Sequence, residues 1–143
     1  MINKIISAVC TNLHTEFGDE YDIYKESIEQ GLQEPCFFVQ AIAPMHDRQL
    51  PTRVKRQVTV MIQYFPLDKD NYYLEGNAVL EKLFKCLEVI TVDDCLYRGE
   101  EMDSPGYTEE GVLSFQITFE FFEINPNEEE LMESHTDDIG IKG

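Results

Sequence analysis

Apolar residues recur every three to four positions in two parts of the chain. The first part runs from Ile2 to Phe17, and its spacing predicts an amphipathic helix that stops at Gly18. The second part lies around 72–88, and its buried stripe is expected to consist of Leu80, Leu83, Phe84 and Leu87. Each predicted helix therefore has one apolar face that another element must cover.

Other segments alternate with a period of two, which is typical of strands with one dry face. From Val54 to Tyr64 the apolar side chains point one way, whereas Lys55 and every second residue after it point the other way. Residues 36–43 form a nearly continuous apolar run, which predicts a strand covered on both faces. Residues 20–27 are more polar and predict a short edge strand.

Prolines and glycines indicate where these strands are interrupted. Residues 44–53 are expected to form a loop, because Pro44 and Pro51 bound them. In the last third, residues 91–99 and 112–122 predict the two arms of a hairpin, and residues 100–111 are expected to contain its turn.

The order helix, three strands, helix and two strands predicts an α+β fold. We expect a mostly antiparallel sheet of about four to five strands with two helices packed on one face. Residues 1–124 are predicted to form this single domain. Residues 125–143 have few apolar side chains and many charges, so we expect an acidic tail that is flexible or loosely docked.

The charge of the chain restricts its partners. The formal net charge is −17, of which residues 124–143 contribute −5 and the rest −12. Such a surface repels duplex DNA, which argues against a general nucleic-acid binder but is compatible with a channel that lets DNA pass. No apolar run approaches the roughly 18–20 residues that span a bilayer, and the N-terminal segment does not resemble a signal peptide. A cytoplasmic protein without a membrane partner is therefore expected.

The sequence shows no catalytic or cofactor-binding motif, so neither an enzyme activity nor a cofactor is expected. The cysteines and histidines lack the spacing of metal ligands; they are Cys10, Cys36, Cys86, Cys95, His14, His46 and His135. Three polar pairs have a chemical alternative. Cys10 with His14 suggests a nucleophile, Asp93 with Asp94 a cation ligand, and His46 with Asp47 an exposed polar pair. A helix stripe, a solvated turn and a plain surface loop are the favoured interpretations.

A basic cluster is the one unusual feature of charge. Four of the chain's 11 basic residues fall between positions 48 and 56, namely Arg48, Arg53, Lys55 and Arg56. By strand parity Arg53 and Lys55 lie on the wet face, and Arg56 lies at the open end of the dry face, where a long side chain can reach water. Two hypotheses remain open: charges that keep the strand soluble, or a contact with a neighbouring subunit or a protein partner.

Three segments together carry a resemblance to a known family. They are QGLQEPCFF, the RxKRxxxxxIQYFP strand from Arg53 to Pro66, and the LYRG…GVLxFxxxFxFF hairpin. In this order they resemble the tail terminator proteins of long-tailed phages and prophages of Gram-positive bacteria, and the resemblance covers roughly residues 1–124.

This resemblance implies a structural protein without catalytic residues. Such proteins cap the tail tube at its full length, end its polymerisation and present a surface to the head connector. They are expected to act as a ring, commonly of six subunits, around the path of the DNA. The implied partners are other copies of the chain, the tail-tube protein and the head–tail connector protein, first in the host cytoplasm and then in the virion tail.

Three alternatives stay open at this point. The chain could be a small soluble α+β domain that binds a ligand or serves as an accessory protein while monomeric. It could be another component of the phage neck or of head–tail joining. An enzyme with dispersed catalytic groups is the least favoured.

Overall fold

The computed structural model describes residues 1–25, 33–68 and 70–124, which form two helices and six strands. In chain order the elements are α1 (Ile2–Phe17), β1 (Asp22–Tyr24), β2 (Cys36–Leu50), β3 (Arg53–Phe65), α2 (Tyr72–Cys86), β4 (Val89–Val92), β5 (Cys95–Tyr107) and β6 (Leu113–Ile124). The predicted α+β class is confirmed. The predicted acidic tail at 125–143 lies outside the described residues.

The strands form one curled sheet in the order β1-β2-β3-β6-β5-β4. The pair β1–β2 is parallel and the other pairs are antiparallel. The prediction of four to five strands was therefore wrong, since the sheet is mixed and has six strands in the described part of the chain. One added strand arises at Asp93 and Asp94, whose φ angles of 50° and 66° reverse the chain tightly. Aspartate tolerates this left-handed region, so the predicted single arm 91–99 folds back on itself as β4 and β5.

The core lies between the two helices and one face of the sheet. The predicted dry face of β3 is confirmed, because its alternate apolar side chains are buried: Val54, Val58, Val60, Ile62 and Tyr64. Helix α1 adds Ile5, Val9 and Leu13 to the same cluster, and α2 adds Leu83. Each such side chain stabilises the fold by roughly 1.5–3 kcal/mol relative to exposure in water.

The predicted loop at 44–53 is a strand for most of its length. Strand β2 continues to Leu50 and pairs with β3, and the turn between them is confined to Pro51 and Thr52. Its ladder shifts register between Ile42 and Met45, and Ala43 in this bulge has a φ of 48°. A bulge accommodates a proline without ending the strand, because the residue there needs no ladder N–H. The basic cluster therefore lies on a paired hairpin.

The segment 100–111 contains the predicted turn, although most of the segment is strand. Strand β5 runs to Tyr107, and the reversal is limited to residues 108–112. A register shift in β5, between Asp103 and Gly106, takes up Pro105 and Gly106 within the strand. Neither of the helices in the described residues is long and apolar enough to cross a membrane.

Candidate subunit interface at the arginine end of the sheet

The four basic residues of the cluster meet at one end of the sheet. In the ladders Arg53 is opposite Ile124, Lys55 is opposite Phe122, and Arg56 is opposite Phe121. Arg48 lies beside them on β2, opposite Val54. We call the surface formed by Arg48, Arg53, Lys55, Arg56, Met45, Leu50, Phe122 and Ile124 the arginine end.

The cluster is divided between the two faces of the sheet. Residues directly opposite each other on antiparallel strands point to the same side. Arg53 and Lys55 therefore lie with Phe122 on the outer face, which the helices leave uncovered. Arg56 shares the parity of the core, and its side chain keeps 23% exposure at the open end. This arrangement agrees with the parity that the sequence predicts.

Two of the basic side chains form ion pairs with the neighbouring strand β6. Lys55 Nζ lies 3.3 Å from Glu120 Oε2, and Arg56 Nη1 lies 3.1 Å from Glu123 Oε2. Pairs of this partly exposed kind contribute roughly 0.2–1 kcal/mol each. Part of the positive charge is therefore neutralised within the chain. The two ion pairs also hold the ends of β3 and β6 together.

Arg53 has a different environment. Its guanidinium carbon lies 4.0 Å from the centroid of the Phe122 ring, which is the geometry of a cation–π contact. Among the described residues no carboxylate forms an ion pair with Arg53. Its guanidinium is thus packed against an aromatic ring rather than paired with an acid of the described chain.

Exposed apolar side chains surround the basic ones, which the sequence analysis did not anticipate. The exposed fractions are 42% for Met45, 54% for Leu50, 44% for Phe122 and 64% for Ile124. Arginine, methionine and phenylalanine are enriched at protein–protein interfaces, and neighbouring exposed apolar groups mark interaction sites. The signal in the sequence was Phe122, which follows Phe121 and interrupts the alternation of β6.

Two of the three polar pairs have contacts that agree with a structural role. His14 Nε2 contacts Asp19 Oδ1 at 2.6 Å, and burial raises the pKa of the Cys10 thiol, so no activated thiol results. Asp93 pairs with Lys4 at 2.7 Å within the turn that was predicted for it. No group of three or more potential metal ligands occurs in residues 1–25, 33–68 and 70–124.

His46 and Asp47, expected in a loop, lie instead on β2. They are opposite Arg56 and Lys55 in the ladder. Both residues are exposed and lie beside the arginine end, and His46 lines a pocket there with Arg48, Val54, Glu123 and Ile124.

The comparisons with known proteins assign the chain to a family. No curated protein sequence matches the chain. One solved structure aligns with a TM-score of 0.40 at 10% identity, covering 83% of this chain and 94% of that chain, and supports no argument about function. The family model described as phage tail terminator protein matches residues 4–130, which is most of the chain. The chain therefore belongs to the phage tail terminator family, a family of structural proteins of the phage tail.

Proposed function

We propose that this chain caps the phage tail tube as a ring of its own copies, ends the polymerisation of the tube and joins it to the head connector. The family match over residues 4–130 carries this proposal. Six subunits is the number that the resemblance implies. In this role the chain acts in the host cytoplasm during assembly and then remains in the virion tail.

The arginine end supports assembly through protein contacts. It combines exposed apolar side chains with the fixed charge of Arg53, and a partner that buries both gains hydrophobic and electrostatic terms together. The net charge of −17 supports a further part of the role. Because like charges repel, DNA passes through an acidic ring without being retained.

The capping role is tested with tubes assembled from the tail-tube protein of the phage or prophage that carries this chain. Tube length is measured by electron microscopy with and without the chain. We expect one ring at one end of each tube and an arrest of growth. Tubes that elongate at the same rate without a bound ring would overturn the proposal. Binding to the connector alone would favour a neck component, and a monomer that binds neither would favour an accessory domain.

The interface is tested by reversing the charge of Arg53. No carboxylate of the described residues forms an ion pair with Arg53, so the change breaks no such pair within the described chain. Arg53→Glu is expected to abolish capping while it lowers the thermal midpoint by only about 2–4 °C, because a surface cation–π contact contributes about 0.5–1 kcal/mol. Arg98→Glu is the matched control, since Arg98 is an exposed arginine on β5 outside the arginine end. Normal capping by Arg53→Glu would return the cluster to a merely solubilising role.

A further inference from the structure

A second exposed apolar surface lies at the opposite end of the sheet. It surrounds the start of α2 and consists of Leu67, Tyr72, Tyr73, Leu74 and Tyr107, which we call the tyrosine patch. Leu67, Tyr73 and Leu74 are 66%, 58% and 78% exposed. Single exposed apolar side chains are common on protein surfaces, whereas a group of large ones in one place marks a binding surface.

The three tyrosine rings of the patch hold one another in place. The centroids of Tyr72 and Tyr73 lie 4.6 Å apart, and the ring of Tyr107 lies 5.6 Å from Tyr72 and 4.9 Å from Tyr73. The hydroxyl of Tyr107 donates a hydrogen bond to Asn77 Oδ1 at 2.7 Å. Rigid aromatic side chains lose little entropy on binding, so this surface is prepared for a partner before the partner arrives.

Two glycines leave the space that the rings occupy. A Cβ on Gly76 would lie 2.6 Å from Tyr107, and a Cβ on Gly111 would lie 2.8 Å from Tyr72. Glycine in the middle of a helix such as α2 costs about 0.5–1 kcal/mol relative to alanine. The fold therefore accepts a less stable helix where this allows Tyr107 to lie against it.

Glu75 fixes the remaining part of the patch. Its carboxylate accepts hydrogen bonds from the backbone N–H groups of Leu67 at 2.9 Å and Asp68 at 3.2 Å, and from the hydroxyl of Tyr64. The connection between β3 and α2 is thereby tied to the first turn of the helix. The backbone of Leu67 is consequently held in place, although its side chain is exposed.

The two exposed surfaces are complementary in charge. Four exposed acids border the tyrosine patch: Asp68, Asp70, Glu109 and Glu110. At the arginine end Lys55 and Arg56 already pair with acids of β6, so the charge offered to a partner is that of Arg53, and exposed apolar side chains lie beside it. Each surface thus offers apolar area to the other, and their charges have opposite sign.

The two surfaces cannot meet within one molecule. They lie at opposite ends of β3, whose 13 residues place Arg53 at one end and Phe65 at the other. At about 3.3 Å per residue this separation is roughly 40 Å. A partner is therefore required, and a second copy of the chain supplies the matching surface.

We infer that the tyrosine patch of one subunit binds the arginine end of the next copy, with Leu74 against the apolar side chains there and the acids beside the patch facing Arg53. This inference rests on the proposed ring and names the surfaces that close it. The contact is head-to-tail, so every subunit uses both surfaces and the chain of contacts can close on itself.

The test is the association state of the purified full chain, measured by analytical ultracentrifugation from 1 μM to about 1 mM, roughly the upper range for weak contacts. Leu74→Asp disables the patch and Arg53→Glu disables the arginine end. We expect the unmodified chain to form oligomers larger than dimers and each variant alone to be monomeric. An equimolar mixture of the two variants restores one intact contact, so it should form dimers and nothing larger.

Leu96→Asp and Arg98→Glu are the matched controls, because Leu96 is 72% exposed outside the patch and Arg98 is exposed outside the arginine end. Both should associate like the unmodified chain, and circular dichroism should show all four variants folded. A mixture that stays monomeric, a single variant that associates normally, or an unmodified chain that is monomeric at every concentration would overturn the inference. Normal complementation without tube capping would refute the proposed function and leave this contact standing.

Discussion

Replacing Gly76 with alanine tests whether the helix and Tyr107 are fitted to each other. In an ordinary helix interior this change stabilises a protein by about 0.5–1 kcal/mol, because alanine restricts the unfolded backbone. Here the new Cβ would lie 2.6 Å from Cε2 and Oη of Tyr107, whereas carbon atoms in contact prefer about 3.5–4.0 Å. The ring must therefore move outward by roughly 1 Å.

The cost of this movement follows from the contacts that the ring loses. The hydrogen bond to Asn77 contributes about 0.5–1.5 kcal/mol, and the ring pairs with Tyr72 and Tyr73 contribute about 0.5–1.5 kcal/mol each when fully formed. Partial loss of these terms outweighs the gain from alanine. We expect a net destabilisation of about 0.5–2 kcal/mol, which lowers the Tm by about 2–8 °C for a domain of this size.

The assay is urea unfolding of four proteins: the unmodified chain, Gly76→Ala, Tyr107→Ala and the double variant. Without the ring the three nearest contacts of the new Cβ are gone, so Gly76→Ala should stabilise the Tyr107→Ala protein by about 0.5–1 kcal/mol. The sign of the effect thus reverses between the two backgrounds. If Gly76→Ala stabilises the unmodified chain as well, the ring is not held against the helix and the account of a prepared patch is wrong.

The remaining predictions concern the buried phenol and the thiols. Burial and the hydrogen bond to Glu75 raise the pKa of Tyr64 above its ordinary 10.0, so the unfolded chain loses this proton first and stability falls as the pH rises above about 10. Tyr64→Phe should cost about 0.5–1.5 kcal/mol at neutral pH and show a smaller loss of Tm above pH 10; an equal alkaline loss in both proteins would contradict the assignment. Cys95 is exposed and Cys36 is buried, so Ellman's reagent should modify Cys95 in the folded protein and Cys36 only after unfolding. Rapid modification of Cys36 under native conditions would show that the core opens. Burial raises the pKa of Cys86 to about 12, so this half-buried thiol should react far more slowly than Cys95.

Strong periodicity allowed the core of the fold to be predicted from the sequence. The spacing of α1 and the alternation from Val54 to Tyr64 were confirmed because the buried side chains of each element follow one simple period. The limits of the strands were not predicted, since a bulge lets Pro44 stand inside a strand where the sequence suggests a loop.

The sequence predicted on which face of the sheet the basic residues lie, but it did not predict the side chains that surround them. The alternation along β3 placed Arg53 and Lys55 on the outer face. The acid that pairs with Lys55 is 65 positions further along the chain on β6, and a non-local pairing of this kind has no signature in either segment alone. The tyrosine patch was missed for the same reason, because Tyr107 and Tyr72 are distant in sequence and come into contact only in the folded chain.

The bulge in β2 has a consequence for how copies of this protein can meet. Strand β1 covers β2 only from Cys36 to Phe38, so the rest of that edge, as far as the structure describes it, has backbone groups without a neighbouring strand. Such an edge invites another strand and thereby fibres of unlimited length. Pro44 offers no N–H and Ala43 turns the backbone out of line, so an added strand loses its ladder at that point. In the proposed ring, copies would therefore recognise one another through side chains, which favours an assembly of defined size over a growing sheet.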